Sequence, residues 1–119
     1  MQLTKSLKEL GKGANLSIIT LVDNLIEEAQ ELRASDIHID PRERDVSVRF
    51  RTDGVLQDVI NFPKDIQSKI VTRVKVLAGL RTDEHQSAQD GRFRIIIEKK
   101  GAVDIRVSIA PTFYGENVV

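Results

Sequence analysis

Ala34-Ser35-Asp36-Ile37-His38-Ile39-Asp40-Pro41, answered by Val46-Ser47-Val48-Arg49-Phe50-Arg51-Thr52-Asp53-Gly54, is the stretch that decides the fold. In the first run Ile37 and Ile39 alternate with Asp36, His38 and Asp40. In the second, Val46, Val48 and Phe50 alternate with Ser47, Arg49 and Arg51. A period of two describes a strand with one dry face and one wet face. Pro41 and the charged run Arg42-Glu43-Arg44-Asp45 supply the turn between them. The two runs read as an antiparallel hairpin. Ile37, Ile39, Val46, Val48 and Phe50 point inward, and Asp36, His38, Arg49 and Arg51 point outward.

The rest of the chain is arranged around that hairpin. Asp53-Gly54 offers the positive φ angles of a tight turn, so Val55–Ile60 returns antiparallel. Its imperfect alternation predicts a bulge or an edge position. Upstream, Ile18, Val22, Leu25, Ala29 and Leu32 recur at helical spacing, and Ile19 and Ile26 widen the stripe. Asn15 or Ser17 caps this helix, and Asp23, Glu27, Glu28 and Glu31 give it a solvated acidic face. Residues 1–14 read as a lead-in helix with Leu3, Leu7 and Leu10 on one side, weakly docked, and a linker at Gly11-Lys12-Gly13. Residues 15–119 read as the domain proper.

After Pro63, which suits the first turn of a helix, Ile66, Ile70, Val74 and Leu77 form a second buried stripe. Lys64, Lys69, Arg73 and Lys75 are expected on its exposed side, and Gly79 stops it. Residues 81–90 are polar and aperiodic and read as a loop. Phe93, Ile95 and Ile97 then alternate with Arg92, Arg94 and Ile96. Lys99-Lys100-Gly101 turns the chain, and Val103, Ile105, Val107 and Ile109 alternate with Asp104, Arg106 and Ser108 up to Pro111. Asn117-Val118-Val119 reads as a strand just begun, which predicts a longer parent protein. The fold class expected is α+β: a mostly antiparallel sheet covered by two amphipathic helices.

Composition narrows the function. The chain has 119 residues, 18 basic and 18 acidic, with 40% hydrophobic residues, 4% aromatic residues and no cysteine. That suits one globular domain and excludes disulfides, thiolate metal sites and a cysteine nucleophile. No apolar run approaches the roughly 18 residues of a membrane span. Residues 1–45 hold six of the basic and nine of the acidic groups, which leaves twelve and nine for residues 46–119. The second part is slightly basic, enough for a local anion site. Few aromatic rings and a neutral balance argue against nucleic acid.

Five arginines fall on the outward phase of strands: Arg49, Arg51, Arg92, Arg94 and Arg106. Two readings fit them. They form a solvated face balanced by Asp36, Asp40, Glu98 and Asp104, or they hold a phosphate or carboxylate, for which the guanidinium fork is suited. Asp36 and His38 share a face, but His85 is the only other histidine, so a polar strand face accounts for them better than a metal site. There is no G-x-x-x-x-G-K-[ST] phosphate loop, and no serine has an activating neighbour. No self-sufficient catalytic centre is legible, and whether the chain belongs to an enzyme stays open at this point.

The hairpin sequence resembles the N-terminal domain of the type II secretion and type IV pilus assembly ATPases. Arg73-Val74-Lys75-Val76-Leu77-Ala78-Gly79-Leu80, Gln89-Asp90-Gly91-Arg92, Asp104-Ile105-Arg106-Val107-Ser108, Pro111-Thr112 and Gly115-Glu116-Asn117-Val118-Val119 resemble later pieces of that domain in the same order. The resemblance covers roughly residues 15–119. It implies a PAS-like α/β fold that packs against a RecA-like motor domain holding ATP and Mg. It implies a cytoplasmic homo-hexamer working with inner-membrane platform components, while the domain itself holds no cofactor. It implies that arginines from this domain reach the nucleotide phosphates. By position one falls on Arg49, a second on Lys64, where lysine replaces arginine, and Arg51 is a further candidate. With the resemblance, the phosphate role is favoured over simple solvation for Arg49. Arg92, Arg94 and Arg106 read as surface or interdomain pairs. The alternative is a stand-alone PAS-like module that binds a ligand or a protein, which would need an apolar internal pocket.

Overall fold

The computed structural model describes residues 3–119; Met1 and Gln2 of the expected lead-in lie outside the described residues. The elements in chain order are α1 (Thr4–Leu10), α2 (Ile18–Glu31), β1 (Asp36–Pro41), β2 (Asp45–Thr52) and β3 (Val55–Pro63). They are followed by α3 (Gln67–Ala78), β4 (Gln89–Ile97), β5 (Gly101–Thr112) and β6 (Gly115–Val118). The strands form one sheet in the order β3-β2-β1-β6-β5-β4, with every neighbouring pair antiparallel. The α+β class and the hairpin pattern expected from the sequence are both present.

The opening hairpin sets the two faces. Ile37 lies opposite Phe50, Ile39 opposite Val48 and Pro41 opposite Val46, which gathers the apolar side chains on one side. Val46, Val48 and Phe50 are fully buried there, joined by Phe62, Ile109, Val107 and Val118 from the other strands. Each large side chain buried in this way contributes about 1.5–3 kcal/mol. Leu21, Val22, Leu25 and Ile70, Val71, Val74 close the core from α2 and α3. The opposite side of the sheet is open: on β4 and β5 Arg92, Arg94, Ile96, Asp104, Arg106 and Ser108 are exposed.

Local signals account for the boundaries. Ser17 Oγ accepts from Thr20 N–H at 3.2 Å, which makes Ser17 the cap of α2. Asp53 and Gly54 turn with φ 51° and 78°, and Gly79 ends α3 with φ 69°. The pairing of β2 with β3 slips between Val48↔Ile60 and Arg49↔Asp58. Val59 is therefore the bulged residue, and β3 is also the sheet edge. The slip lets Val59 and Ile60 both be buried, which explains the broken alternation.

The structure corrects several placements. Lys75, expected on the exposed side of α3, has 0% exposure. Glu28, expected on a solvated face, is buried and accepts from both Ser6 N–H at 2.8 Å and Ser6 Oγ–H at 2.6 Å. α1 is consequently held to α2 by hydrogen bonds, with Leu3 buried and Leu7 exposed. Lys5 adds ion pairs to Glu27 and Glu31 at 2.6 and 3.2 Å. Ile19 and Leu32 are exposed while Leu21 lies in the core, so the stripe of α2 is rotated toward Leu21 and Leu25. The loop after α3 ends sooner than expected, because β4 already pairs at Gln89. Among the described residues no helix is long and apolar enough to cross a membrane.

Candidate functional site

The open side of the sheet collects the outward residues of β1, β2, β4 and β5. On β1 and β2, Asp36 lies opposite Arg51, His38 opposite Arg49 and Asp40 opposite Ser47. Strand pleating puts these six side chains on one face, two residues apart along each strand. Arg49 donates from Nη2 to Asp40 Oδ2 at 2.8 Å. Arg51 donates from Nε to Asp36 Oδ2 at 2.9 Å and from Nη1 to the Gly54 carbonyl at 3.1 Å. Both pairs are partly exposed, so as stabilising contacts they are worth only about 0–1 kcal/mol each.

The arginines of β4 and β5 divide differently. Arg94 lies opposite Asp104, to which it donates from Nε at 2.7 Å and from Nη2 at 3.3 Å. This side-on grip holds the Asp104 carboxyl below its ordinary range, through the Arg94 hydrogen bonds first and then the charges of Arg94 and Arg92. Arg92 lies directly opposite Arg106, and among the described residues neither guanidinium has a carboxylate or carbonyl within hydrogen-bond distance. Like charges facing across a rung are unfavourable by themselves. The expected surface pairing thus holds for Arg94, whereas Arg92 and Arg106 have no hydrogen-bonded acidic partner among the described residues, and Arg92 acts on Asp104 through its charge alone. Only the strand register reveals this, since the sequence alternation places all three arginines alike.

A cleft of about 790 Å³ opens beside Arg106, walled by Asp36 and Ile37 of β1 on one side and by Val103–Val107 of β5 on the other. β6 lies between those two strands only over Gly115–Val118, and Val119 is bonded in both directions to Ser108, at 2.9 and 3.0 Å. Asp90, Asp104, Arg106 and Ser108 give its floor and walls a polar character.

Lys64 sits elsewhere. Pro63, just before it, lies opposite Asp45, four residues back from Arg49 along β2, or about 13 Å at about 3.3 Å per residue. Its ammonium donates to the carbonyls of Arg42 at 2.7 Å and Tyr114 at 2.6 Å. Lys64 therefore pins the β1–β2 turn to the β5–β6 turn. Arg49 and Arg51 share a face; Lys64 is at the far end of the hairpin.

A second polar cluster lies inside the domain. Lys75 Nζ donates to the Glu84 carbonyl at 2.6 Å and to Glu116 Oε1 at 3.0 Å, with Oε2 at 2.9 Å in ion-pair contact. Oε2 lacks a well-aligned hydrogen bond. His85 Nδ1 lies 2.8 Å from Oε1, and Gln67 Nε2 donates to the Glu116 carbonyl at 2.8 Å. The cluster ties α3, the loop before β4 and β6 together.

The sequence model of the family described as type II/IV secretion system protein matches residues 12–119. The type IV pilus assembly ATPase PilB of Myxococcus xanthus is 39% identical over 117 residues, covering 98% of this chain and 21% of that protein. The type II secretion system protein E of Xanthomonas campestris is 41% identical over 115 residues, covering 97% of this chain and 20% of that protein. The type II secretion system ATPase E of Vibrio cholerae is 45% identical over 102 residues, covering 86% of this chain and 20% of that protein. The chain thus spans about a fifth of the length of these curated relatives. A match along nearly the whole sheet and all its connections, at this level of identity, places the chain in the type II/IV secretion system protein family.

Proposed function

We propose that the chain is the non-catalytic N-terminal domain of a hexameric secretion or pilus-assembly ATPase. It couples nucleotide binding and hydrolysis in a RecA-like motor domain to domain movement, in the cytoplasm, against inner-membrane platform components. In this reading ATP and Mg are held by the motor domain. The PAS-like sheet supplies guanidinium groups to the phosphates. A group serving as a phosphate sensor across a domain joint needs fixed charge on a rigid element, and strand arginines fit that need.

The observation that carries the reading is the open sheet face with its arginines. Arg92 and Arg106 face each other on one rung without a hydrogen-bonded partner among the described residues, and an anion placed between them relieves their repulsion. Arg49, on β2, has one nitrogen engaged among the described residues. Arg51 and Lys64 are more fully occupied and contribute mainly positive potential and turn geometry. The stand-alone ligand module is less favoured, because the cleft mixes apolar side chains such as Ile37, Val103 and Ile105 with the charged Asp36, Asp90, Asp104 and Arg106, where such a module needs a mostly apolar pocket.

The test is ATPase activity. The isolated chain should show no turnover. In the protein joined to its motor domain, Arg49→Ala and Arg106→Ala should each lower kcat at least about tenfold, with the circular dichroism of the domain unchanged. Robust turnover by the isolated chain, or unchanged kcat in both variants, would overturn the reading.

A further inference from the structure

Arg49 and Arg51 occupy successive outward positions of β2 but are held in different ways. Arg51 is bonded from both Nε and Nη1. Arg49 is bonded from Nη2 alone, and its Nε and Nη1 have no partner among the described residues. Its anchor, Asp40, lies diagonally across the ladder, opposite Ser47, and its carboxylate makes no other hydrogen bond or ion pair among the described residues. Its carboxylate is three-quarters buried. A long arginine side chain on an open face would otherwise sample many rotamers. A single charge-assisted bond to a strand carboxylate limits those rotamers while leaving most of the guanidinium donors open.

We infer that Asp40 is a positioning residue for Arg49: it holds the guanidinium by one nitrogen so that the remaining donors meet a phosphate without reorganising. The inference rests on the reading that Arg49 contacts nucleotide. It has a particular kinetic signature. Asp40 also cancels part of the arginine's charge, so its removal strengthens simple attraction to ATP while loosening the geometry. Orientation is lost from kcat, and affinity is not lost from KM.

The experiment is a double-mutant cycle in the protein joined to its motor domain, with ATP as substrate, comparing Asp40→Asn, Arg49→Ala and the double variant. Asp40→Asn should lower kcat about three- to tenfold with KM for ATP unchanged or lower, and the double variant should match Arg49→Ala within about twofold. If Arg49→Ala leaves kcat unchanged, the nucleotide role of Arg49 fails and this inference with it. If Arg49→Ala lowers kcat but Asp40→Asn does not, only the positioning role fails. Multiplicative effects in the double variant, or a raised KM accompanied by a lower melting temperature, also overturn the role. Asp40→Ser makes the same comparison should the amide variant not fold.

Discussion

Lys75→Met tests how the interior of the domain is held. Lys75 is fully buried, with Nζ placed against the Glu84 carbonyl and both oxygens of Glu116. Methionine keeps an unbranched stem and removes the charge. What remains is the Glu116 carboxylate, 9% exposed, with His85 alone on Oε1 and, among the described residues, no partner for Oε2. Removing one member of a buried pair costs about 3–5 kcal/mol because the other charge stays behind. His85 is 60% exposed and keeps its place on Oε1, so the low end, about 3 kcal/mol, applies. For a chain of this size that is a fall of about 10–15 °C in melting temperature. Thermal and urea denaturation of the chain, followed by circular dichroism, measure it. Lys75→Met with Glu116→Leu should recover most of the loss, since replacing both members by apolar groups is close to neutral. A single variant less than about 1 kcal/mol below the wild type, or a double variant no more stable than the single, would refute the reasoning.

Two further predictions follow from other parts of the molecule. A Cβ on Gly91 would lie 3.0 Å from the Ala78 carbonyl oxygen and 3.0 Å from Leu80 Cδ2. Gly91→Ala should therefore cost about 1–3 kcal/mol through overpacking of α3 on β4, and a loss under about 0.5 kcal/mol by urea titration would contradict it. Stability should also fall on acidification. Glu9, capped by the Ser17 N–H, and Glu84, bonded by the Gln86 N–H, are held below their ordinary 4.5. Asp45 and Asp104, gripped by Arg42 and Arg94, are held below 3.8. A carboxyl depressed in the folded state contributes stability that is present above its unfolded value and lost as pH falls through the folded one. The melting temperature should thus change little from about pH 7 to 5 and drop below about 4.5; a rise in that acid range would reverse the sign.

Much of the fold is local and was legible residue by residue. The hairpin of β1 and β2, the turn at Asp53-Gly54, the stop at Gly79 and the outward phase of the arginines all follow from period, φ preference and capping, which depend on neighbours in sequence. The break in β3 was visible as a fault in alternation, although only pairing with β2 shows Val59 to be the extra residue.

The class of fold, the faces of its strands and the family to which those strands point can all be read from residue order alone. Which charges are held inside and which are left over depends on contacts between segments far apart in the chain. Lys75 reads as one more surface lysine until Glu116 arrives from 41 residues away to meet it, and Glu28 reads as solvated until Ser6, 22 residues away, takes it as a partner. The same holds on the open face: the register sets Arg94 against Asp104 but Arg92 against Arg106. A helix or strand pattern states how often a side chain turns inward. It cannot state what stands opposite, and for a charged group that opposite partner decides whether burial is tolerated and whether a cation remains free for a ligand.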